Sequence, residues 1–257
     1  MISYKEAAIL AANEAGNYQK TKFRSTFQVR EKSPANLVTE VDIQSEKIIL
    51  EILTRHHPDI DFLTEEQCIS EKQKAEQRWI IDPLDGTTNF AHGYQLFGVS
   101  IALEKKGSIV LGVVFIPMLN EIFVAERGKG AFRNGAPIQV SHVNDLQQSL
   151  LASGFPYDAW TNSDDNTHEW ATLLKSVVSC RCDGSAAIDL CHVAAGVLDG
   201  YWELDLEAWD MAAGSLIVEE AGGHVSLPDG KSFNIYQRGI LASNKKIHNA
   251  IIEKLGR

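Results

Sequence analysis

Residues 82–90, Asp-Pro-Leu-Asp-Gly-Thr-Thr-Asn-Phe, combine two carboxylates with a glycine-threonine turn. Asp82 and Asp85 stand three positions apart around Pro83, directly after the apolar segment 79–81, which has the pattern of a buried strand. Carboxylates this close repel each other unless a cation neutralises them, and oxygen-only ligands favour Mg²⁺, Mn²⁺ or Ca²⁺. The Gly-Thr-Thr turn offers backbone N–H groups to an anion. The spacing therefore predicts metal-assisted phosphate chemistry.

Each of these acids also has a purely structural interpretation. Asp-Pro and Asp-Gly are common turn dipeptides. Glu65 and Glu66 fit a solvated surface, and Asp210 fits the cap of a helix N-terminus. Thr39 and Asp42 have the spacing of a capping pair. A capping residue can also be a ligand, so these interpretations do not exclude a site.

The elements that must position these residues follow from hydrophobic periodicity and turn signals. The patterns predict helices over 4–20, 39–55, 166–178, 186–198, 211–221 and 245–255, and strands over 59–64, 79–81, 99–104, 109–116 and 122–125. Asn134-Gly135 indicates a tight hairpin. We expect an N-terminal α+β half with a largely antiparallel sheet over 1–144, a C-terminal α/β half over 145–257, and a site between them.

Composition limits the partners. The chain has 257 residues, 44% of them hydrophobic, and a formal net charge of −10, which argues against nucleic acid and anionic membranes as direct partners. Residues 4–20 form an amphipathic pattern with no apolar core typical of a signal peptide, and no run is long enough to span a membrane. We therefore expect a cytoplasmic protein. Its four cysteines are expected to be free thiols: Cys68, Cys180, Cys182 and Cys191.

Three separated motifs carry a family resemblance: Glu65-Glu66, then the run 79–90, then Trp209-Asp210 ahead of a helix rich in alanine and glycine. In this order they resemble the inositol monophosphatase family of Mg²⁺-dependent, lithium-sensitive phosphatases, over nearly the whole chain. Thr64 departs mildly from the pattern, because the family often has glycine there. The resemblance implies a mixed α+β and α/β fold, a layered αβαβα sandwich shared with fructose-1,6-bisphosphatase.

The resemblance also implies roles for individual residues. The metal ligands would be Glu65, Asp82, Asp85, Asp210 and the backbone carbonyl of Leu84. The catalytic residues would be Thr87, which orients the attacking water, its partner Asp42, and Glu65. The substrate contacts would be Asp85, Gly86, Thr87, Gly184, Ser185, Ala186, Glu203 and Asp210.

The implied reaction is hydrolysis of myo-inositol monophosphate, or a similar phosphorylated polyol or sugar, to the free alcohol and phosphate. Water activated by the metal would attack directly, without a phospho-enzyme, and two or three Mg²⁺ ions would serve, with Mn²⁺ as a substitute. The family resemblance also implies a homodimer.

Two kinds of alternative stay open. The same chemistry could act on fructose 1,6-bisphosphate, 3′-phosphoadenosine 5′-phosphate or histidinol phosphate. Nucleotide-specific relatives tend to have Lys-Gly where this chain has Thr88-Asn89, which favours the inositol branch, as does Glu203. A second phosphate would need a cation such as Arg181 or Lys175. Alternatively, the chain is a regulatory or RNA-associated binding protein that retains the fold, although all four acidic ligands are present.

Overall fold

The structure is a computed structural model and describes residues 2–33, 35–66 and 76–257. Its elements follow the chain in the order α1 (Tyr4–Lys22), β1 (Val29–Ser33), β2 (Asn36–Thr39), α2 (Glu40–His56), β3 (Asp61–Thr64), β4 (Gln77–Asp85), α3 (Thr87–Ala91), β5 (Gly98–Lys105), β6 (Ser108–Ile116), β7 (Glu121–Glu126), β8 (Ala131–Arg133), β9 (Ala136–Pro137), a short 3₁₀ helix (Leu146–Gln148), β10 (Leu150–Ser153), α4 (Thr167–Leu174), β11 (Ser179–Arg181), α5 (Ala186–Ala194), β12 (Gly200–Leu204), α6 (Ala208–Glu220), β13 (His224–Ser226), β14 (Gly239–Ser243) and α7 (His248–Leu255).

The larger sheet has the strand order β3-β4-β5-β6-β7-β8-β9. β3 and β4 run parallel, and each later neighbouring pair runs antiparallel. Successive side chains of a strand point to opposite faces, so β4 contributes to two cores. Trp79 and Ile81 pack among residues of α1 and α2, whereas Ile80 packs among residues of α5 and α6. This sheet is therefore covered by helices on both faces.

The smaller sheet has the strand order β11-β10-β12-β14-β13. β10 runs parallel to β11 and β12, while β14 runs antiparallel to β12 and β13. Ala152 and Tyr201 belong to the core that contains α5 and α6. Their chain neighbours Leu151 and Trp202 face the other way, into a core with residues of α4 and α7. The two sheets thus share one helical layer.

The layers run in the order α1 and α2, the larger sheet, α5 and α6, the smaller sheet, and α4 with α7. This is the predicted αβαβα sandwich, and the predicted fold class is confirmed. The central layer lies very close to the larger sheet at Gly112. A Cβ there would come within 2.6 Å of the backbone oxygen of Ala213 in α6. A residue without a side chain allows this approach.

Most predicted elements are confirmed, with shifted ends. The helix predicted over 166–178 ends at Leu174, because the chain turns there into β11. The helix predicted over 186–198 ends at Ala194, shortly before Gly196, whose positive φ of 69° interrupts helical geometry. Asn134 and Gly135 form the predicted hairpin turn, both with positive φ. The β1–β2 hairpin was missed, since its strands are short and, apart from Thr39, exposed or half-buried.

Pro83 interrupts the hydrogen-bonded ladder, as its missing N–H predicts, although the strand itself does not end there. β4 continues to Asp85, because the pairing with β5 shifts between Asp82 and Asp85 and resumes at Gly98. A proline has no N–H to donate, and an irregularity of this kind leaves that position outside the ladder. The carbonyl oxygen of Pro83 accepts a 2.7 Å hydrogen bond from the Gln19 side chain of α1.

The remaining expectations concern membrane-spanning segments, the cysteines and the division of the chain into halves. Among the described residues, no helix has the length and apolar character needed to cross a bilayer. Cys180, Cys182 and Cys191 are free thiols, while Cys68 lies outside the described residues. The division of the chain into halves at residue 144 stays a prediction.

Candidate active site

The two aspartates of the opening motif lie at the bulge that ends β4. Asp82 and Asp85 are buried, and Oδ1 of Asp82 accepts a 2.9 Å hydrogen bond from the backbone N–H of Leu84. The next residue, Gly86, has a φ of +87°, and a Cβ there would lie 2.9 Å from the oxygen of Leu96. Both facts require glycine. The sharp turn starts the short helix α3 directly beside the two carboxylates.

Thr87 connects this turn to the first turn of α2. Its hydroxyl donates a 2.7 Å hydrogen bond to Oδ1 of Asp42 and lies 3.0 Å from the carbonyl oxygen of Leu84. The other oxygen of Asp42 accepts hydrogen bonds from the backbone N–H and the hydroxyl of Thr39, which makes the predicted capping pair. Burial raises the pKa of Asp42, although its hydrogen bonds oppose the shift. Asp42 is therefore both a cap and the partner of Thr87.

The acidic pair after β3 is held by a lysine from the β1 strand. Nζ of Lys32 lies 2.9 Å from Oε1 of Glu65 and 2.5 Å from Oε1 of Glu66. Burial lowers the pKa of Lys32, but the two carboxylates more than offset this and raise it overall. Burial also raises the pKa of Glu66 to about 7. Glu65 is the acid predicted as a metal ligand, and here an ammonium group neutralises it.

Asp210 comes from the opposite half of the chain, in the first turn of α6. Its Oδ2 accepts a 2.8 Å hydrogen bond from the backbone N–H of Glu207, so it also caps its helix. Burial, and then the nearby charges of Glu65, Asp85 and Asp210, raise the pKa of Asp82. Burial raises the pKa of Asp85 to about 6. Buried oxygen donors that repel each other in this way are the ligand set that a hard divalent cation stabilises.

The N-terminus of α5 closes the site from the far side. Oδ2 of Asp85 accepts a hydrogen bond from the hydroxyl of Ser185 and another, of 2.9 Å, from the backbone N–H of Ala187. Gly184, which precedes Ser185 in the chain, has a positive φ and lies against the side chain of Asn89. The amide of Asn89 donates to the backbone oxygens of this segment. A helix N-terminus stabilises negative charge, and here the charge is that of Asp85.

These elements surround a cavity of about 450 Å³, a volume suited to a small ligand. Asp42 stands one hydrogen bond behind it, through Thr87. Every other predicted site residue lines the cavity: Glu65, Asp82, Leu84, Asp85, Gly86, Thr87, Gly184, Ser185, Ala186, Glu203 and Asp210.

Glu203, from β12, lines the same cavity as the aspartates. Its carboxylate accepts a hydrogen bond from the buried hydroxyl of Tyr201. Burial raises the pKa of Glu203 to about 8. Gly154 faces it so closely that a Cβ would lie 2.3 Å from both carboxylate oxygens. The carboxylate of Glu203 is thus held between the hydroxyl of Tyr201 and the backbone of Gly154.

Sequence reasoning missed several residues of the cavity. Lys32 and Tyr157 line it, as does Arg238, which stands just before β14. The guanidinium of Arg238 lies 3.0 Å from Oδ1 of Asp205 and 2.9 Å from Oε1 of Glu207. No motif marks these residues, because each reaches the cavity from a separate segment. Asp205 and Glu207, two further acids that line the cavity, were a usable signal that a cation would face them.

A model of the inositol monophosphatase family matches residues 3–257. The chain belongs to this family. It is 47% identical over 254 residues to the inositol-1-monophosphatase of Synechocystis sp., covering 98% of this chain and 88% of that protein. It is 40% identical over 250 residues to a Pasteurella multocida protein named Nus factor SuhB, covering 96% of this chain and 94% of the relative.

The family fold is equally clear in three dimensions. The structure of an inositol monophosphatase from Anabaena (Nostoc) sp. PCC 7120 matches with a TM-score of 0.91 at 40% identity, covering 98% of this chain and 95% of that one. As a member of the inositol monophosphatase family, the chain is a phosphatase, a hydrolase that acts on phosphorylated substrates.

Proposed function

We propose that this phosphatase hydrolyses small phosphate monoesters, and myo-inositol monophosphate above all, with Mg²⁺ at the acidic centre. The supporting observation is the convergence of Asp82, Asp85, Asp210 and Glu65 on one cavity from separate elements. These residues, with the carbonyl of Leu84, would hold two or three ions. The donor set fits, since it offers only oxygen and its crowding already raises the pKa of Asp82 and Asp210 by burial and mutual repulsion.

Bound Mg²⁺ would lower the pKa of water and neutralise the leaving oxygen. The protein's own part is to position and deprotonate the water. The hydroxyl of Thr87 uses its only hydrogen to donate a hydrogen bond to Asp42. The lone pairs of the hydroxyl oxygen can therefore accept a hydrogen bond from that water. Asp42 is buried and orients Thr87. With the water held in this way, its oxygen would bond to phosphorus as the bond from phosphorus to the alcohol oxygen breaks, so the alcohol would be displaced in one step, without a phospho-enzyme.

Glu203 supports a polyol as the leaving alcohol. Its carboxylate lies in the same cavity as the aspartates and is pinned by Tyr201. An ionised carboxylate accepts hydrogen bonds from hydroxyl groups, and adjacent hydroxyls on a ring present more than one donor. Discrimination against substrates without these hydroxyls follows, because the buried acceptor would then be left unpaired.

A bisphosphate sugar is the second candidate substrate. Neither Arg181 nor Lys175, the cations considered from the sequence, is among the described residues that line the cavity. Arg181 instead hydrogen-bonds Ser179 and the backbone of Cys180. Arg238 lies at the cavity, so it is the cation that could receive a second phosphate, after release from its acidic partners.

The name of the relative Nus factor SuhB points to a third candidate, a binding role associated with RNA. The retained acids Glu65, Asp82, Asp85 and Asp210 favour the hydrolase, because a binding protein has no need of a metal centre. The net charge of −10 also disfavours direct contact with nucleic acid. A homodimer and lithium inhibition stay predictions from the family resemblance, and a cytoplasmic location stays a prediction from the sequence pattern.

The test is phosphate release from a panel of inositol phosphates, fructose 1,6-bisphosphate, 3′-phosphoadenosine 5′-phosphate and histidinol phosphate, with and without Mg²⁺. We expect Mg²⁺-dependent activity, highest on inositol monophosphate, and its near-complete loss in Asp85→Asn. Asp59→Asn, an exposed aspartate outside the cavity, is the matched control and should keep full activity. Wild-type protein inactive on the whole panel would contradict the proposal, and full activity in Asp85→Asn would contradict the metal ligands.

A further inference from the structure

A second group of metal-binding side chains lies at α5, apart from the ligands discussed above. Asp183 precedes the helix, and Asp189 and His192 stand three positions apart within it, so they share one helix face. One ligand atom of each residue lies within 4.8 Å of the other two. We propose that Asp183, Asp189 and His192 form a second divalent cation site, selective for a transition metal such as Zn²⁺.

The state of Asp189 is the independent observation behind this proposal. Asp189 is 1% exposed, and its Oδ1 is buried without a hydrogen-bond partner among the described residues. A buried carboxylate oxygen without a partner is costly, and native structures rarely leave one. Burial, followed by the charge of Asp183, raises the pKa of Asp189. The carboxyl groups of Asp183 and Asp189 are also in hydrogen-bond contact, which raises the pKa of Asp189 further, so without a cation one of the two must carry a proton. A cation among the three side chains would take the place of that proton and remove the repulsion.

The surrounding charges also favour a cation. Besides burial, the pKa of Asp189 is raised by the negative charges of Asp183, Glu203 and Asp85. Burial lowers the pKa of His192, the charges of Asp183 and Glu121 raise it, and that of Arg133 lowers it. The guanidinium among them is already engaged, because Nη1 of Arg133 lies 3.3 Å from Oε1 of Glu121. Negative charge therefore remains in excess around the three ligands.

The imidazole determines which metal fits. Imidazole nitrogen suits Zn²⁺ and similar transition metals, whereas Mg²⁺ keeps to oxygen ligands and water. Burial lowers the pKa of His192, which favours the neutral ring that binds metals. Two carboxylates and one imidazole leave further positions open for water. This donor set differs from the all-oxygen centre at Asp82 and Asp85, so the two sites would prefer different ions.

A cation here would stiffen a wall of the substrate cavity. The backbone oxygens of Asp183 and Gly184 accept hydrogen bonds of 2.7 and 3.4 Å from the side chain of Asn89. The next residue, Ser185, donates its hydroxyl to Asp85. Tying Asp183 to α5 through a metal would fix the segment that carries these contacts. The inference does not depend on which phosphate ester the enzyme hydrolyses.

The test uses full-length, tag-free protein and Zn²⁺ as the probe, with metal counted after equilibrium dialysis in millimolar Mg²⁺. Wild type should retain one more Zn²⁺ per chain than His192→Gln. Because Zn²⁺ can also enter the all-oxygen centre, the comparison is repeated on the Asp210→Asn background. The Asp210→Asn protein should again bind one more Zn²⁺ per chain than the protein that carries both Asp210→Asn and His192→Gln. His168→Gln, an exposed histidine at α4, is the matched control and should bind as wild type does.

Thermal unfolding gives a second readout. On the Asp210→Asn background, Zn²⁺ at about 100 times its dissociation constant should raise the Tm by about 5–10 °C, and adding His192→Gln to that background should abolish the rise. Asp189→Asn added to the same background should fold, melt no lower than Asp210→Asn without metal, and lose the Zn²⁺ response. Equal Zn²⁺ retention by wild type and His192→Gln would overturn the proposal. Loss of all bound Zn²⁺ in Asp210→Asn would do the same, since the ion would then belong to the phosphatase centre alone.

Discussion

The hydroxyl of Thr87 donates a 2.7 Å hydrogen bond to Asp42, a residue 45 positions earlier in the chain. This contact joins the turn after β4 to the N-terminus of α2. It makes one carboxylate serve as a helix cap and as the acceptor for the hydroxyl that we propose orients the attacking water.

The first prediction concerns this pair. Thr87→Val keeps the shape of the side chain but removes the hydroxyl, so the attacking water loses its acceptor. We expect kcat to fall by about 100-fold or more, with a small change in KM. Steady-state phosphate release measures both constants. Thr87→Ser, which retains the hydroxyl, should keep activity within about tenfold of wild type, and an equally inactive serine variant would contradict this role.

The second prediction concerns how the ionisation of Asp85 affects the stability of the protein when no divalent cation is bound. The pKa of Asp85 is raised from 3.8 to about 6 by burial, so the folded state binds more protons than the unfolded state between these values. Stability contributed by this group is therefore lost as pH rises from about 4 to about 6. The loss is on the order of 3 kcal/mol.

In EDTA at pH 8, Asp85→Asn should consequently melt at a higher temperature than wild type, and its advantage should shrink as the pH approaches 4. Millimolar Mg²⁺ should reverse the order, because only wild type binds the ion well. Differential scanning calorimetry across this pH range checks both trends. A wild-type protein that is more stable than Asp85→Asn in EDTA at every pH would disprove the account of crowded carboxylates.

The third prediction concerns Glu203, whose pKa is raised to about 8 by burial. The ionised carboxylate is the better acceptor for polyol hydroxyls, so kcat/KM for inositol monophosphate should rise with pH up to about 8. Glu203→Gln should flatten this rise and lower kcat/KM by about tenfold at pH 8.5, mainly through KM. p-Nitrophenyl phosphate has no polyol hydroxyls and should be nearly unaffected. Equal losses on both substrates would indicate a general structural defect instead.

The fourth prediction separates one phosphate from two. Arg238→Ala should lower kcat/KM for fructose 1,6-bisphosphate by about tenfold, since a charge-assisted contact to the second phosphate is lost. Activity on inositol monophosphate should change by less than about threefold, because that substrate has no second phosphate. Arg181→Ala is the matched control, as this arginine lies outside the cavity lining. An unchanged Arg238→Ala profile would remove Arg238 from substrate recognition.

Local chemistry was predictable where a few neighbouring residues decide the structure. Thr39 and Asp42 form the expected capping pair, and Asn134-Gly135 forms the expected turn. Both depend on dihedral preferences and on hydrogen bonds across three or four residues, which sequence spacing encodes directly. The continuous apolar run at 79–81 likewise indicated the buried strand that β4 forms. Pro83 interrupts the ladder between β4 and β5 as a proline must, but the bulge that lets the strand continue to Asp85 has no reliable signal of its own.

Contacts between distant segments were not predictable in the same way. Nothing near Lys32 in sequence announces its salt bridges with Glu65 and Glu66. The bond from Ser185 to Asp85 spans 100 residues. Arg238 reaches the cavity from just before β14. Such contacts arise when separate elements pack into layers, and single residues that meet in this way carry no periodic pattern.

The sequence by itself therefore determined the residue types of the centre, the strand and turn that present Asp82 and Asp85, and the family to which they belong. Only the tertiary structure decided what surrounds them: the lysine on Glu65, the helix N-terminus on Asp85, and the half-buried His192 beside an orphaned carboxylate. The physical reason is the distance along the chain over which each interaction acts. Helix caps and turns are local interactions, whereas burial and charge depend on which layers the whole chain brings together.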